Sequence, residues 1–189
     1  MNNHNLYQAF LLAASVLMVV SDSRNSLRLT RIDCRVCECG KADIKNLTCR
    51  IKAMSRSRTA IFAEAFLMRP FDDVLVHMQI FKRNSVRYLP FMVNVTFFPC
   101  KYFEGSDNTF YAKFMINWIN KYSNINHSCP YSDRIFADNL EPFAEKIPVF
   151  APAGDYRLDL HFYQSNLKTL LASINGYGTI TIRPFMQGI

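Results

Sequence analysis

The sequence predicts a mainly β protein, a two-sheet antiparallel sandwich with one short helix near 107–122. Three observations carry that prediction. About seven short segments alternate apolar and polar residues with a period of two, and Gly, Asp or Pro punctuates the joins between them. Two glycosylation acceptors, Asn46-Leu-Thr48 and Asn94-Val-Thr96, fall on the side of their strands that the alternation marks as outer, a coincidence a helix would not give. Only one stretch changes period: Phe110, Phe114, Trp118 and Tyr122 recur every fourth residue.

Taken in order, Leu6–Val20 is apolar apart from Tyr7, Gln8 and Ser15, and the small residues Ser21 and Ser23 follow. This reads as a signal peptide over residues 1–21, leaving 22–189 as a single domain. The absence of Lys or Arg before the apolar run leaves a retained N-terminal anchor as the alternative, and no later segment is apolar enough to span a bilayer. Leu27–Val36 is the first strand, and Cys37-Glu-Cys39-Gly40 a polar turn. In Asn46–Ala53, Leu47, Cys49, Ile51 and Ala53 point one way and Asn46, Thr48, Arg50 and Lys52 the other. Thr59–Met68 fits strand or helix by itself; the β context and Pro70 favour strand. Val74–Phe81 puts Val74, Val76, Met78 and Ile80 on one face. Val86–Phe98 does the same with Phe91, Val93, Val95 and Phe97. The helix follows, N-capped by Ser106 or Asp107. Glu141–Pro152 is proline-spaced and extended. Tyr156, Leu158, Leu160 and Phe162 then share a face opposite Arg157, Asp159 and His161. A last strand, Ala172–Arg183, is interrupted by Gly176 and Gly178.

A third sequon, Asn126-His-Ser128, joins the first two. Three acceptors and six cysteines behind a signal-like start point to a secreted, extracellular, disulfide-bonded glycoprotein. The net charge of +7 is scattered except at Arg50-Ile-Lys52 and Arg56-Ser-Arg58, so it reads as a solvated surface or as attraction to an anionic lipid, glycan or acidic partner. No nucleic-acid motif is present. Six cysteines allow many pairings. The favoured ones are Cys100 with Cys129, closing the loop that holds the helix, and Cys34 with Cys49, tying the first two strands. Cys37 and Cys39 are then left to pair with each other, stay free, exchange with the first pair or bridge to another chain. A four-thiolate zinc site of Cys34, Cys37, Cys39 and Cys49 is the alternative, although the spacing matches paired knuckles poorly.

The segments Cys49-Arg-Ile-Lys-Ala53, Phe91-Met-Val-Asn-Val95, Pro99-Cys-Lys-Tyr-Phe103, Asn124-Ile-Asn-His-Ser-Cys-Pro-Tyr131 and Pro152-Ala-Gly-Asp-Tyr156, in that order, resemble an insect-expanded group of secreted proteins of unknown function. That group includes CheB-type chemosensory proteins and is related to the ML, or lipid-recognition, domains. Sterol-transfer members of the wider ML group are similar around Cys129-Pro130 and Lys146-Ile-Pro-Val149. The resemblance implies an immunoglobulin-like sandwich whose sheets splay to admit a lipid, a role in chemosensation, and the Cys100–Cys129 pairing. Cys37 and Cys39 depart from the usual four-cysteine pattern, which leaves the bridge of the first hairpin open.

A binder of this kind needs a dry concave cavity. The inward-facing set offers Ile51, Phe62, Phe66, Val76, Met78, Phe91, Val93, Phe97, Leu158, Leu160 and Phe162 as its wall, with Phe114 and Trp118 covering one end. The competing expectation is that these side chains fill a closed core. Among the histidines after residue 21, His161 shares an outer face with Asp159 and reads as an ordinary surface histidine, His127 lies in a sequon turn, and His77 shares a strand face with Leu75, Gln79 and Phe81. No nucleophile elbow, zinc-hydrolase helix or phosphate loop accompanies them, so the expectation is no enzyme, no cofactor and no metal. Gly176-Tyr-Gly178 reads as a strand bulge. The sequence therefore points to a secreted carrier of a lipid or small apolar ligand. The second reading is an extracellular co-receptor or accessory module that meets a membrane receptor through the basic surface of Arg50, Lys52, Arg56 and Arg58.

Overall fold

The computed structural model describes residues 24–55, 58–142, 151–164 and 169–183. The expected signal peptide, Arg56 and most of the proline-spaced segment before Pro152 lie outside them. The elements are β1 (Arg24–Val36), β2 (Ile44–Ala53), β3 (Thr59–Phe71), β4 (Val74–Arg83), β5 (Tyr88–Phe97), α1 (Pro99–Phe103), α2 (Phe110–Ile119), β6 (Tyr131–Leu140), β7 (Gly154–Gln164) and β8 (Thr169–Arg183). One sheet has the order β1-β8-β7-β4-β5 and the other β2-β3-β6, with every named pairing antiparallel. The expected two-sheet sandwich is therefore the observed fold.

The alternating strands form because one face of each is apolar and has a partner layer to bury it against. Val76 and Met78 of β4 and Phe97 of β5 are buried, while Asn94 opposite them is exposed. Asn46 and Asn126 are exposed as well. The β4–β5 turn is an Asx turn, in which the Asn84 side chain accepts from the Val86 and Arg87 amides.

Four expectations need correction. First, β1 and β2 are not a hairpin: β1 pairs with β8 in the large sheet and β2 with β3 in the small one. Second, β6 and the short α1 were not foreseen. Their segments, Tyr131–Leu140 and Pro99–Phe103, carry little apolar periodicity, and β6 has left-handed backbone at Asp133 and Asn139. Third, the helix is shorter than 107–122. Thr109 caps it, accepting from the Ala112 amide, while the Asp107 carboxylate accepts from the amides of Phe98 and Thr109 and lashes the approach to the end of β5. Its buried face is Ala112, Met115 and Ile116; Phe110 is 72% exposed. A spacing of four advances the row past a full turn at each step, so Phe110 drifts off the face that Met115 occupies, and Tyr122 lies beyond the end of the helix. Fourth, β8 runs unbroken through Gly176 and Gly178. The bulge lies on the partner strand, between Leu29 and Arg31, and a Cβ at Gly178 would sit 3.0 Å from the Arg28 carbonyl oxygen.

Two disulfides join the layers. Cys34 of β1 is bonded to Cys49 of β2, and Cys100, just after β5, to Cys129, just before β6. β1 and β5 are the two edges of the large sheet, and β2 and β6 the two edges of the small one. Each bridge therefore staples edge to edge, on opposite sides of the sandwich. The zinc alternative falls with this finding, because two of its four sulfurs are consumed in one bond. Cys37 and Cys39 are free thiols, Cys39 exposed. Their turn is wedged under β8: the Cys37 amide donates to the Leu171 carbonyl, and a Cβ on Gly40 would lie 2.3 Å from that oxygen.

Replacing Cys100 and Cys129 together by Ser is expected to cost about 3–4 kcal/mol in urea denaturation, from the loop-closure entropy of a 29-residue separation. Replacing Cys34 and Cys49, separated by 15 residues, should cost about 3 kcal/mol on the same basis.

Candidate functional site

The site is built by what β3, β6 and β8 turn inward. In β3 the residues facing the gap are Ile61, Ala63, Ala65 and Leu67; across from them in β6 are Ile135 and Ala137. The large sheet contributes Val74 and Val76 from β4, Leu158, Leu160 and Phe162 from β7, and Ala172, Ile174 and Gly176 from β8. Alanine and glycine at so many facing positions leave the layers without enough side chain to meet. The result is a cavity of about 290 Å³ between the sheets, near the lower end of the roughly 300–1,000 Å³ typical of small-molecule sites. A Cβ built on Gly176 meets nothing within 4 Å, as expected for a position opening on empty space.

Three packed clusters accompany this space. Val76, Met78 and Phe97 pack on Ala112 and Met115 of α2. Ile44, Phe71, Leu171 and Ala172 close the region near the Cys37 turn. Ala151, Tyr156 and Ile180 form a third cluster with Leu27, Ile80 and Phe91, off the wall. After α2 the chain makes a bridge from Ser123 to Ala137 of β6, so helix and bridge together span the side where the large sheet ends at β5 and the small one at β6.

The wall is almost wholly apolar, and its polar atoms are engaged. The Trp118 indole donates to the Glu141 carbonyl at 2.8 Å, and Ser123 donates to the Ile119 carbonyl. The Tyr131 hydroxyl donates to the His127 carbonyl at 3.1 Å. Burial without a charged partner pushes the Tyr131 hydroxyl up to about 12. The Glu64 carboxylate is held by a two-pronged hydrogen bond from Arg134, which keeps it below the usual carboxylate range. A ligand entering here meets hydrocarbon and no waiting donor or acceptor.

Of the residues expected on the wall, Val76, Trp118, Leu158, Leu160 and Phe162 are there. Met78, Val93, Phe97 and Phe114 lie beside it, packed into the cluster beneath α2. Phe91 is off the wall, in the third cluster, edge-on to Tyr156. Ile51 pairs with Ile61 but is off the wall. Phe62 and Phe66 are on the wrong side of β3. Arg50 lies over the Phe62 ring at 5.3 Å, and Phe66 is exposed. Because a strand alternates strictly, choosing the phenylalanines as inner inverted the whole of β3 and hid the alanines that create the space. Their signal was present in the register of the free-standing sequence, Ile61, Ala63, Ala65 and Leu67, a run of apolar residues too small to attract notice.

On the basic surface, Arg50 and Lys52 are exposed on β2, whereas Arg58 forms an ion pair with Glu141. No helix of the described residues is long and apolar enough to cross a membrane.

Residues 76–158 match a family model described as a protein of unknown function, DUF1091. The match starts in β4 and ends in β7, and so takes in both helices, the Cys100–Cys129 bridge and β6. No curated protein matches the chain.

Ala63→Leu combined with Ala137→Leu should grow into the void and leave the thermal midpoint unchanged or raised. A fall of about 3 °C or more, equivalent to about 1 kcal/mol in a chain of this size, would mean the wall has no spare room. The raised Tyr131 pKa gives a second expectation. The unfolded chain releases this proton near pH 10 and the folded one near 12, so the contribution is intact below pH 10 and is lost as pH rises from about 10 towards 12. Tyr131→Phe should flatten that part of the alkaline stability profile, measured by urea denaturation at stepped pH.

Proposed function

We propose that this chain is a secreted carrier of a small lipid or other apolar ligand, with no catalytic step. The observation that supports the reading most directly is the apolar cavity held open between two stapled sheets. Binding there would draw on hydrocarbon burial at about 25 cal/mol per Å². The modest volume favours a compact ligand or one acyl chain over a two-chain bilayer lipid. The layer arrangement also supports the kinship with ML lipid-recognition domains and CheB-type proteins that the sequence motifs suggested, and with it a chemosensory setting. Secretion and glycosylation are supported by the two disulfides and by exposed Asn46, Asn94 and Asn126. The surface-module reading has less behind it, since Arg58 of its basic patch is already paired within the chain.

Full-length protein from a secretory insect-cell host, kept native and examined by mass spectrometry, should carry an apolar molecule at a one-to-one ratio that organic solvent releases. The Ala63→Leu, Ala137→Leu chain should carry less. A bare protein that also fails to take up a fluorescent fatty acid would sink the carrier reading.

A further inference from the structure

The outer face of the five-stranded sheet holds a pair of histidines that the carrier function does not use. The register of β4 against β7 sets His77 directly opposite His161. Opposed residues on antiparallel strands have their Cβ atoms only about 4.5–5.5 Å apart, and the two imidazole centroids lie 5.9 Å from each other with the rings tilted by 37°. Both side chains are half-buried. Two imidazoles on neighbouring positions of one ion, through bonds of about 2.0–2.1 Å, have centroids roughly 4.5 Å apart at the square-planar angle of copper(II) and roughly 5 Å at the tetrahedral angle. A small rotation about the side-chain bonds closes that difference.

The surroundings suit a cation. Nε2 of His77 lies 2.7 Å from Oδ1 of Asn94 on β5. A carboxamide oxygen only accepts, so Nε2 carries the proton and donates it, and Nδ1 keeps its lone pair. Histidines that ligate metals commonly donate their second ring N–H to an oxygen in this way, which fixes the tautomer and raises ligand basicity. A glycan on Asn94 would attach through the amide nitrogen and leave Oδ1 in place. The register neighbours of the pair are Thr96 and Ser173 on the flanking strands and Gln79, Asp159, Leu75 and Tyr163 along β4 and β7, with no Lys or Arg among them although the chain carries +7. Asp159 is held by Arg157 and Asn175.

We propose that His77 and His161 form a binding site for a divalent first-row transition ion, copper(II) binding most tightly, with water completing the coordination and Asn94 acting as a positioning residue. The preference for copper follows from the affinity order of nitrogen ligands. The site is independent of the cavity and stands whether or not a lipid is carried.

The test uses the full chain with Cys37 and Cys39 alkylated, so that thiols do not compete, and titrates copper(II) under electron paramagnetic resonance. The expected result is one copper per chain with coupling to two imidazole nitrogens. His77→Ala or His161→Ala should remove the two-nitrogen signature, and His127→Ala should leave it. Asn94→Ala should weaken binding about 10-fold or more, while Asn94→Asp, which also abolishes the sequon but keeps an acceptor oxygen, should restore it. As a check that needs no variant, copper should shield both histidines of the unsubstituted chain from diethyl pyrocarbonate. An unchanged signal in His161→Ala, or labelling of both rings at the metal-free rate, would overturn the proposal.

Discussion

The constraint on which the rest depends is that the two sheets are fastened along their edges and not through their middle. An immunoglobulin-type sandwich with a central disulfide packed on a Trp draws its layers together where the core is thickest. Here Cys34–Cys49 ties β1 to β2 and Cys100–Cys129 ties the β5 end to the start of β6. Covalent bonds fix the layer spacing at both margins, so the centre need not supply all the attraction that keeps the layers together. Small side chains can then occupy the middle without the sheets collapsing onto one another.

The helix belongs to the same arrangement. It is lashed to β5 by the Asp107 carboxylate, seated on Val76, Met78 and Phe97, and followed by the bridge from Ser123 to β6. Its buried face, Met115 above all, packs on β4 and β5, and Phe91, Tyr156 and Ile180 belong to a separate packed cluster. Residues of two of the packed clusters, Val76 in one and Ile44, Phe71, Leu171 and Ala172 in the other, also form part of the cavity wall.

Much of the framework was legible in the sequence. Strict alternation in β2, β4, β5 and β7 located those strands and their faces, because each has one buried side and one wet side. The sequons supplied an independent check on parity for β2 and β5. Legibility failed where the periodic signal was ambiguous. In β3 both faces are apolar, and Phe62 and Phe66 looked like core although Arg50 shields one and solvent meets the other. In β6 charged and polar residues are as many as apolar ones and break the alternation, since the strand is an edge and its wall residues, Tyr131, Ile135, Phe136, Ala137 and Leu140, do not keep a period of two. The pairing of β1 with β8, at opposite ends of the chain, leaves no local trace at all. Consequently the cavity's existence was foreseeable from family resemblance, but the residues that make it were only partly so: Leu158, Leu160 and Phe162 of β7 and Val76 of β4 were read correctly, Met78 of β4 lies beside the wall, and the alanines of β3 and β6 were missed.

The inward alanines carry a further implication for how such a protein diverges. Ala63, Ala65, Ala137 and Gly176 line the cavity, and a Cβ on Gly176 meets nothing within 4 Å, so enlarging these positions is the direct way to reshape the interior. On the carrier proposal, ligand preference would thereby be uncoupled from foldability. A duplicated copy can explore differently shaped chambers through single size changes at these positions, while the stapled frame around them stays the same.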